Sequence, residues 1–262
     1  IVAKKLGFSL YAIASTKKNS LNVKKKFKKF KIKKIFSNHN QLIKETCKLK
    51  NTCYLVAPRI KDTVKVLSDL ELVNSPILVE KPISIISKKF TKKLIMKKNI
   101  FVGYNRIFYE TTRYLKTINI KNSLIDVTCP EKNKYSFLTN SCHIISILLY
   151  VFNDLKIIKK IKSKQFINVI FKSKRNNYIN LCLYYNLKTN FKIEIKNSDF
   201  FISQSPIEII KEYKKIKTIK KRGRNFYYPK LNKNINCDEK FKPGFMRQMK
   251  EFKKFATNKN LL

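Results

Sequence analysis

Tryptophan is absent from the 262 residues, glycine occurs four times, and 16 acidic side chains stand against 59 basic ones. Each scarcity removes a class of protein. With so few glycines and no GxGxxG spacing, the chain itself holds no glycine-rich turn of the kind that lets backbone N–H groups approach a pyrophosphate. Six cysteines (Cys47, Cys53, Cys129, Cys142, Cys182 and Cys237) form no CxxC pair and sit mostly in apolar patterns, where a thiol behaves as a small hydrophobe. That excludes a zinc motif or a disulfide framework and fits a reducing, cytoplasmic protein with no metal site. The longest uncharged apolar run, Ile144 to Phe152, is far short of the roughly 20 residues that span a bilayer. No membrane span is expected.

The shortage of acids leaves a formal net charge of +43. Abundant Lys, Asn, Ile, Phe and Tyr without Trp is the bias of a very A/T-rich coding sequence, which accounts for part of it. Asp and Glu are compatible with such codons, so a basic surface for a polyanion, nucleic acid included, stands as the other reading. Hydrophobic residues make up 44% of the chain, ample for a packed core, so this is no disordered tail.

What is present begins with Ile77-Leu-Val-Glu-Lys-Pro-Ile83, an apolar run that ends in a charged pair and a proline. It reads as a buried strand delivering polar groups to its end. Tyr54-Leu-Val-Ala-Pro58 is a second such strand, followed by a helical pattern through Val64, Val66, Leu67 and Leu70. This is βαβ alternation, and parallel sheets bind ligands at the carboxyl ends of their strands. Pro58, Arg59, Glu80 and Lys81 therefore fall along one rim.

Ile1 to Leu6 reads as a helix end stopped by Gly7, and Phe8 to Ala14 as a strand, so the chain starts inside a βαβ unit. The stretch Lys4 to Ser15 also mimics a signal peptide, but helix end, glycine and strand account for the same residues. Lys24 to Lys34 carries eight lysines and reads as a helix with Phe27 and Phe30 on its buried side. A short strand at Lys34 to Phe36 and a helix at Asn40 to Leu49 follow, with His39 exposed in the turn between them and assigned no role. Beyond Pro82 come a helix Ile85 to Lys97, a strand Ile100 to Tyr104, a helix Ile107 to Thr117 and a strand Ser123 to Thr128. Ser136 to Phe152 is apolar nearly all round, a helix buried on most sides. From Leu155 the period changes to two: Ile167 to Phe171, Ile179 to Tyr185 and Phe191 to Ile195 alternate as strands of an antiparallel sheet with one wet face. A helix Phe245 to Ala256 closes the chain. The fold class is α/β plus α+β: an incomplete Rossmann-like parallel-sheet domain over 1–84, then a mostly antiparallel open-sheet domain over 85–262.

Val79-Glu-Lys-Pro82, Gly103-Tyr-Asn-Arg106, Asn140-Ser-Cys-His143 and Phe241-Lys-Pro-Gly-Phe245, in this order and context, resemble the Gfo/Idh/MocA family of NAD(P)-dependent oxidoreductases. The resemblance implies hydride transfer between a nicotinamide cofactor and a sugar- or polyol-like substrate. It implies a cis Lys81–Pro82 peptide and a homo-oligomer built through the open sheet, for which Tyr178, Tyr184 and Tyr185 supply apolar and aromatic contact surface. By the same likeness Lys81 and His143 are catalytic, the lysine bonding the substrate oxygen and the histidine accepting its proton. Tyr104, Asn105, Thr139 and Asn140 face substrate. Pro58, Arg59, Glu80, Pro82 and Arg106 lie near the cofactor. Where the family often has an Asp four residues before the histidine, this chain has Thr139. The glycine turn is expected ahead of Ile1, in a segment the chain lacks. Ser15, Thr16 and Lys17 offer hydroxyls and positive charge where an NAD site would place an acid, which favours NADP over NAD. The competing reading is a non-catalytic basic protein on the same fold that binds a polyanion.

Overall fold

The computed structural model describes residues 2–15, 32–83, 98–133, 136–237 and 242–258. The helix expected at Ile85 to Lys97, most of the lysine-rich stretch before Lys34, Phe241, and two candidate cofactor residues, Thr16 and Lys17, lie outside these residues. The chain divides into two compact units, Ile1–Gly103 with Phe245–Leu262, and Tyr104–Gly244.

In the first unit, α1 (Val2–Lys5) precedes β1 (Ala12–Ala14), which pairs in parallel with β2 (Lys34–Phe36). Helix α2 (His39–Thr46) starts where the Asn38 side chain accepts from the Gln41 N–H at 2.9 Å. His39, expected merely to be exposed, opens this helix and pairs with Asp69 at 2.6 Å. Then come β3 (Tyr54–Val56), α3 (Ile60–Asp69), β4 (Ile77–Glu80) and β5 (Ile100–Gly103). Strands β3, β4 and β5 form a parallel sheet separate from β1–β2, with Val56, Val79 and Val102 in register. Leu67 and Leu70 of the α3 stripe close over Tyr54, Val56, Ile77 and Val79.

The last helix, α6 (Phe245–Thr257), belongs to this unit. The sequence places it in the second domain; its Met249 and Phe252 instead form a core with Leu78, flanked by Phe8, Phe101 and Phe255. Phe101 meets the Phe252 and Phe255 rings edge-on at 5.8 and 5.5 Å, and such aromatic contacts add to area burial. The first division likewise runs past residue 84 to Gly103, because β5 hydrogen-bonds to β4 and cannot leave its sheet.

The second unit holds a 3₁₀ turn (Asn105–Phe108), α4 (Glu110–Thr117), β6 (Leu124–Glu131), a π-helical turn (Phe137–Ser141) and α5 (Cys142–Phe152). Seven strands follow: β7 (Leu155–Lys162), β8 (Phe166–Ser173), β9 (Tyr178–Tyr185), β10 (Lys192–Lys196), β11 (Phe201–Gln204), β12 (Ile209–Lys221) and β13 (Arg224–Asn236). Among the described residues they make an eight-stranded sheet in the order β13-β12-β11-β10-β6-β9-β8-β7, antiparallel except for β6–β9. One face carries Ile125, Val127, Ile179, Leu181, Ile193, Ile195 and Ile202, all buried together with Leu115, Ile144, Ile147 and Leu148 of α4 and α5. Each such side chain removed from water stabilises by about 1.5–3 kcal/mol.

The other face is polar at its centre. Asn168 donates to Asn180 at 2.6 Å, Asn180 to Asp126 at 3.3 Å, and Lys196 pairs with Asp126 at 2.8 Å. Tyr178 and Tyr184 lie on this face, but Tyr185, opposite Glu131, is in phase with the buried one, so it cannot contribute to an outer contact there. In a chain short of glycine, asparagine takes many of the left-handed positions, with Asn51, Asn122, Asn153, Asn176 and Asn186 at φ between 49° and 61°, alongside Arg222 and Gly7, Gly223 and Gly244. The short asparagine amide tolerates that conformation better than most side chains. The Lys81–Pro82 peptide is cis, as is Ser205–Pro206. Among the described residues no helix is long and apolar enough to cross a membrane.

Candidate functional site

In the first unit the rim is built by register. Because β3, β4 and β5 end together, Pro58 and Arg59 beyond β3, and Glu80, Lys81 and Pro82 at the end of β4, share the carboxyl edge of one sheet. Pro58 and Arg59 are exposed, whereas Glu80, Lys81 and Pro82 are half-buried. Arg59 turns back onto α3, its Nε 2.9 Å from Asp62 Oδ2. Beside β4, Gly103 ends β5 under close packing: a side chain there would meet Gln248 Nε2 at 3.1 Å and the Val79 carbonyl at 3.2 Å. Ser15 follows β1, its N–H bonded to the Phe36 carbonyl at 2.9 Å.

The second unit collects the other candidates. Tyr104 to Arg106 form the entry and first turn of the 3₁₀ element that packs on α5. Asn105 is buried and donates to the Pro243 carbonyl at 3.4 Å. The Arg106 guanidinium lies 5.5 Å from the Phe191 ring centre, and its buried Nη1 has no hydrogen-bond partner among the described residues. Burial pushes the Tyr104 phenol up, and the neighbouring Cys142 adds to it. His143, 6% exposed, is the second residue of α5 and its backbone carbonyl accepts from Ser146 Oγ at 2.7 Å. Lys81 and His143 therefore fall in different units.

The helix predicted as continuous from Ser136 opens with a π turn, a widening often found at functional sites. Thr139 and Asn140 lie in it. Thr139 Oγ1 donates to the Ser136 carbonyl at 3.1 Å, and Asn140, exposed, points its Nδ2 3.5 Å from Glu131 Oε2. Glu131 is the residue sequence reasoning missed. It is 3% exposed, and Ser141 Oγ donates a short hydrogen bond to its Oε1. The signal was available: Ile125, Val127, Cys129 and Glu131 alternate in one phase, so the carboxylate rides on the apolar face. Burial also pushes the Cys129 thiol up to about 12, against the hydrogen bond with Ser141, which lowers it. A carboxylate taken from water needs such partners, since an unpaired buried charge is costly.

No protein-family model and no curated protein matches the chain. Solved structures do. An oxidoreductase from Thermotoga maritima superposes with a TM-score of 0.69 at 16% identity, over 97% of this chain and 81% of that one. Levoglucosan dehydrogenase in complex with NADH and levoglucosan gives 0.67 at 10% identity, over 94% and 80%. Myo-inositol dehydrogenase from Lactobacillus casei, in complex with NAD(H) and myo-inositol, gives 0.57 at 12%, over 82% and 70%. At these identities the likeness shows the fold: that of two-unit, Rossmann-like dehydrogenases.

Proposed function

From a chain with the fold of sugar and polyol dehydrogenases, we propose a Gfo/Idh/MocA-type oxidoreductase that moves a hydride between a nicotinamide cofactor and a sugar- or polyol-like substrate. The observation that carries this reading is Glu80-Lys81-Pro82 at the carboxyl end of the middle strand of a parallel sheet. Ligands of such sheets sit beyond the strand ends. Pro58, Arg59, Glu80 and Pro82 on this rim, with Ser15, Thr16, Lys17 and Arg106, are the residues assigned to a dinucleotide. When bound, the nicotinamide supplies the hydride acceptor or donor. NADP is favoured over NAD by the positive charge at Lys17.

The protein's own share is binding, orientation and one proton. The Lys81 ammonium hydrogen-bonds the substrate oxygen and stabilises charge developing there. His143 takes the hydroxyl proton in oxidation and returns it in reduction. Tyr104, Asn105, Thr139 and Asn140 orient the sugar hydroxyls. With threonine at position 139, the carboxylate beside this helix is Glu131, which acts as a positioning residue through Ser141 and Asn140.

Turnover of a panel of sugars and polyols with NADP(H) and NAD(H), followed at 340 nm, tests the reading. Lys81→Met and His143→Asn should each lower kcat about 10²- to 10⁴-fold. Glu131→Gln, which keeps the acceptor but drops the charge, should shift the pH profile of kcat while leaving KM near its original value. A panel without turnover, or variants as active as the parent, would reject the assignment.

A further inference from the structure

Beyond the sheet, β12 and β13 continue as a two-stranded ribbon. Only Ile210–Tyr213 of β12 pair with β11; from Lys215 to Lys230, among the described residues, the two strands pair with each other alone. Every residue of that stretch is exposed except Ile219, which is half-buried. It contains seven Lys and Arg and no Asp or Glu.

The register sorts these side chains. Directly opposed residues of an antiparallel pair share a face and successive pairs alternate. Lys215–Lys230, Lys217–Tyr228, Ile219–Phe226 and Lys221–Arg224 therefore make one face, and Ile216–Pro229, Thr218–Tyr227 and Lys220–Asn225 the other. Five of the seven cations are on the first face, interleaved with Phe226, 41% exposed, and Tyr228, 45% exposed.

Two features of this face are unfavourable for folding alone. Like charges directly opposite, as in Lys215–Lys230 and Lys221–Arg224, destabilise a strand pair. An isolated two-stranded ribbon is marginal in water. Lysines on an exposed edge guard against strand pairing, but that need is met by cations on either face and requires no exposed aromatic rings between them. A polyanion with flat, stackable groups removes both penalties at once.

We propose that the basic, aromatic face of the β12–β13 ribbon binds single-stranded nucleic acid, its cations on phosphates and Phe226 and Tyr228 stacked on bases. Base–aromatic stacking tolerates any sequence and cations track the backbone, the combination used by single-strand binders generally. An anionic lipid surface fits less well, because its binder segregates apolar groups from charge. Here the charged face holds the aromatic pair, and the opposite face alternates Ile216, Pro229 and Tyr227 with Thr218, Lys220 and Asn225.

The test is fluorescence anisotropy of the full chain with a labelled 20-nucleotide oligo-dT across a potassium chloride series. Replacing Lys217→Gln, Arg224→Gln and Lys230→Gln together should flatten the slope of log K against log salt by about 2, at ~0.7 per lost phosphate contact. The pair Phe226→Ser and Tyr228→Ser should weaken binding by about tenfold or more with the slope unchanged. A charge-matched control, Lys156→Gln, Lys159→Gln and Lys160→Gln on exposed β7, should change both far less. Equal loss in the control would reduce the effect to bulk charge and overturn the proposal. So would an aromatic pair without effect, or binding to phosphatidylserine vesicles but not to the oligonucleotide.

Discussion

Gly244→Ala combines two separate penalties, and its cost can be worked from each. The residue has φ of +77°, a left-handed conformation that a side chain disfavours by about 1–2 kcal/mol. A methyl there would also lie 2.2 Å from the Asn105 carbonyl oxygen and 2.9 Å from Tyr109 Cδ1. Neither neighbour can yield cheaply. Asn105 is backbone held in the 3₁₀ turn, and Tyr109 is 2% exposed, so overpacking adds about 1–3 kcal/mol. The sum is about 2–5 kcal/mol. Gly223→Ala separates the terms, because Gly223 has φ of +73° and nothing among the described residues within 4 Å of an added methyl. It carries the backbone term alone. Urea unfolding of the parent and both variants, read as midpoint shifts at constant slope, should place Gly244→Ala at least about 1 kcal/mol below Gly223→Ala. Equal destabilisation of the two would refute the packing described around Asn105 and Tyr109.

Alkaline pH should expose the buried thiol of β6. Burial raises the folded pKa of Cys129 from 9.0 to about 12, so the folded state holds this proton more tightly than the unfolded one. The neutral-thiol advantage is intact below pH 9, and stability then falls by about 1.4 kcal/mol per pH unit as pH rises toward 12. Cys129→Ala should remove that component of the slope in urea unfolding between pH 8 and 11; parallel pH dependences would reject it. The open sheet face should pair with a second copy, and sedimentation velocity should show a homodimer favoured by salt, since two protomers at +43 repel until screened. A monomer at high salt and high concentration would mean that this face takes no second copy.

What was legible follows from how side chains are buried. A parallel strand covered on both faces shows as a continuous apolar run, so β4 and its charged terminus were readable, as was the apolar helix with His143. Strands β8, β9 and β10 alternate and were found. Strand β12 was not. Its register shifts between Glu212 and Lys215, and past that point both faces are wet, so no apolar period survives. Glu131 escapes the pattern because the sequence predicts the strand to end at Thr128, three residues early. The α6 stripe correctly identified an amphipathic helix, but periodicity says which face is buried and not against what; the partners, Phe101 and Leu78, are on β5 and β4.

Those two blind spots share a cause that says something about the molecule. Of the described acidic residues only Glu131 and Glu212 are buried, both on the apolar face of the large sheet. In a chain with 16 acids in all, a carboxylate in that layer costs desolvation and needs dedicated donors. Glu131 has Ser141 and Asn140; Glu212 has Asn232 and the Tyr114 hydroxyl on one side, while its buried Oε1 has no hydrogen-bond partner among the described residues and faces only the Lys214 ammonium at 3.5 Å. The first set fastens the π turn ahead of His143 to β6. The second fastens α4 and β13 to β12 at the register shift where the ribbon leaves the sheet. Directional contacts of buried acids fix geometry where apolar packing would allow sliding. Each acid thus interrupts an apolar pattern at the point where a proposed binding element begins, and the position that defeats periodicity is the one that fixes the element in place.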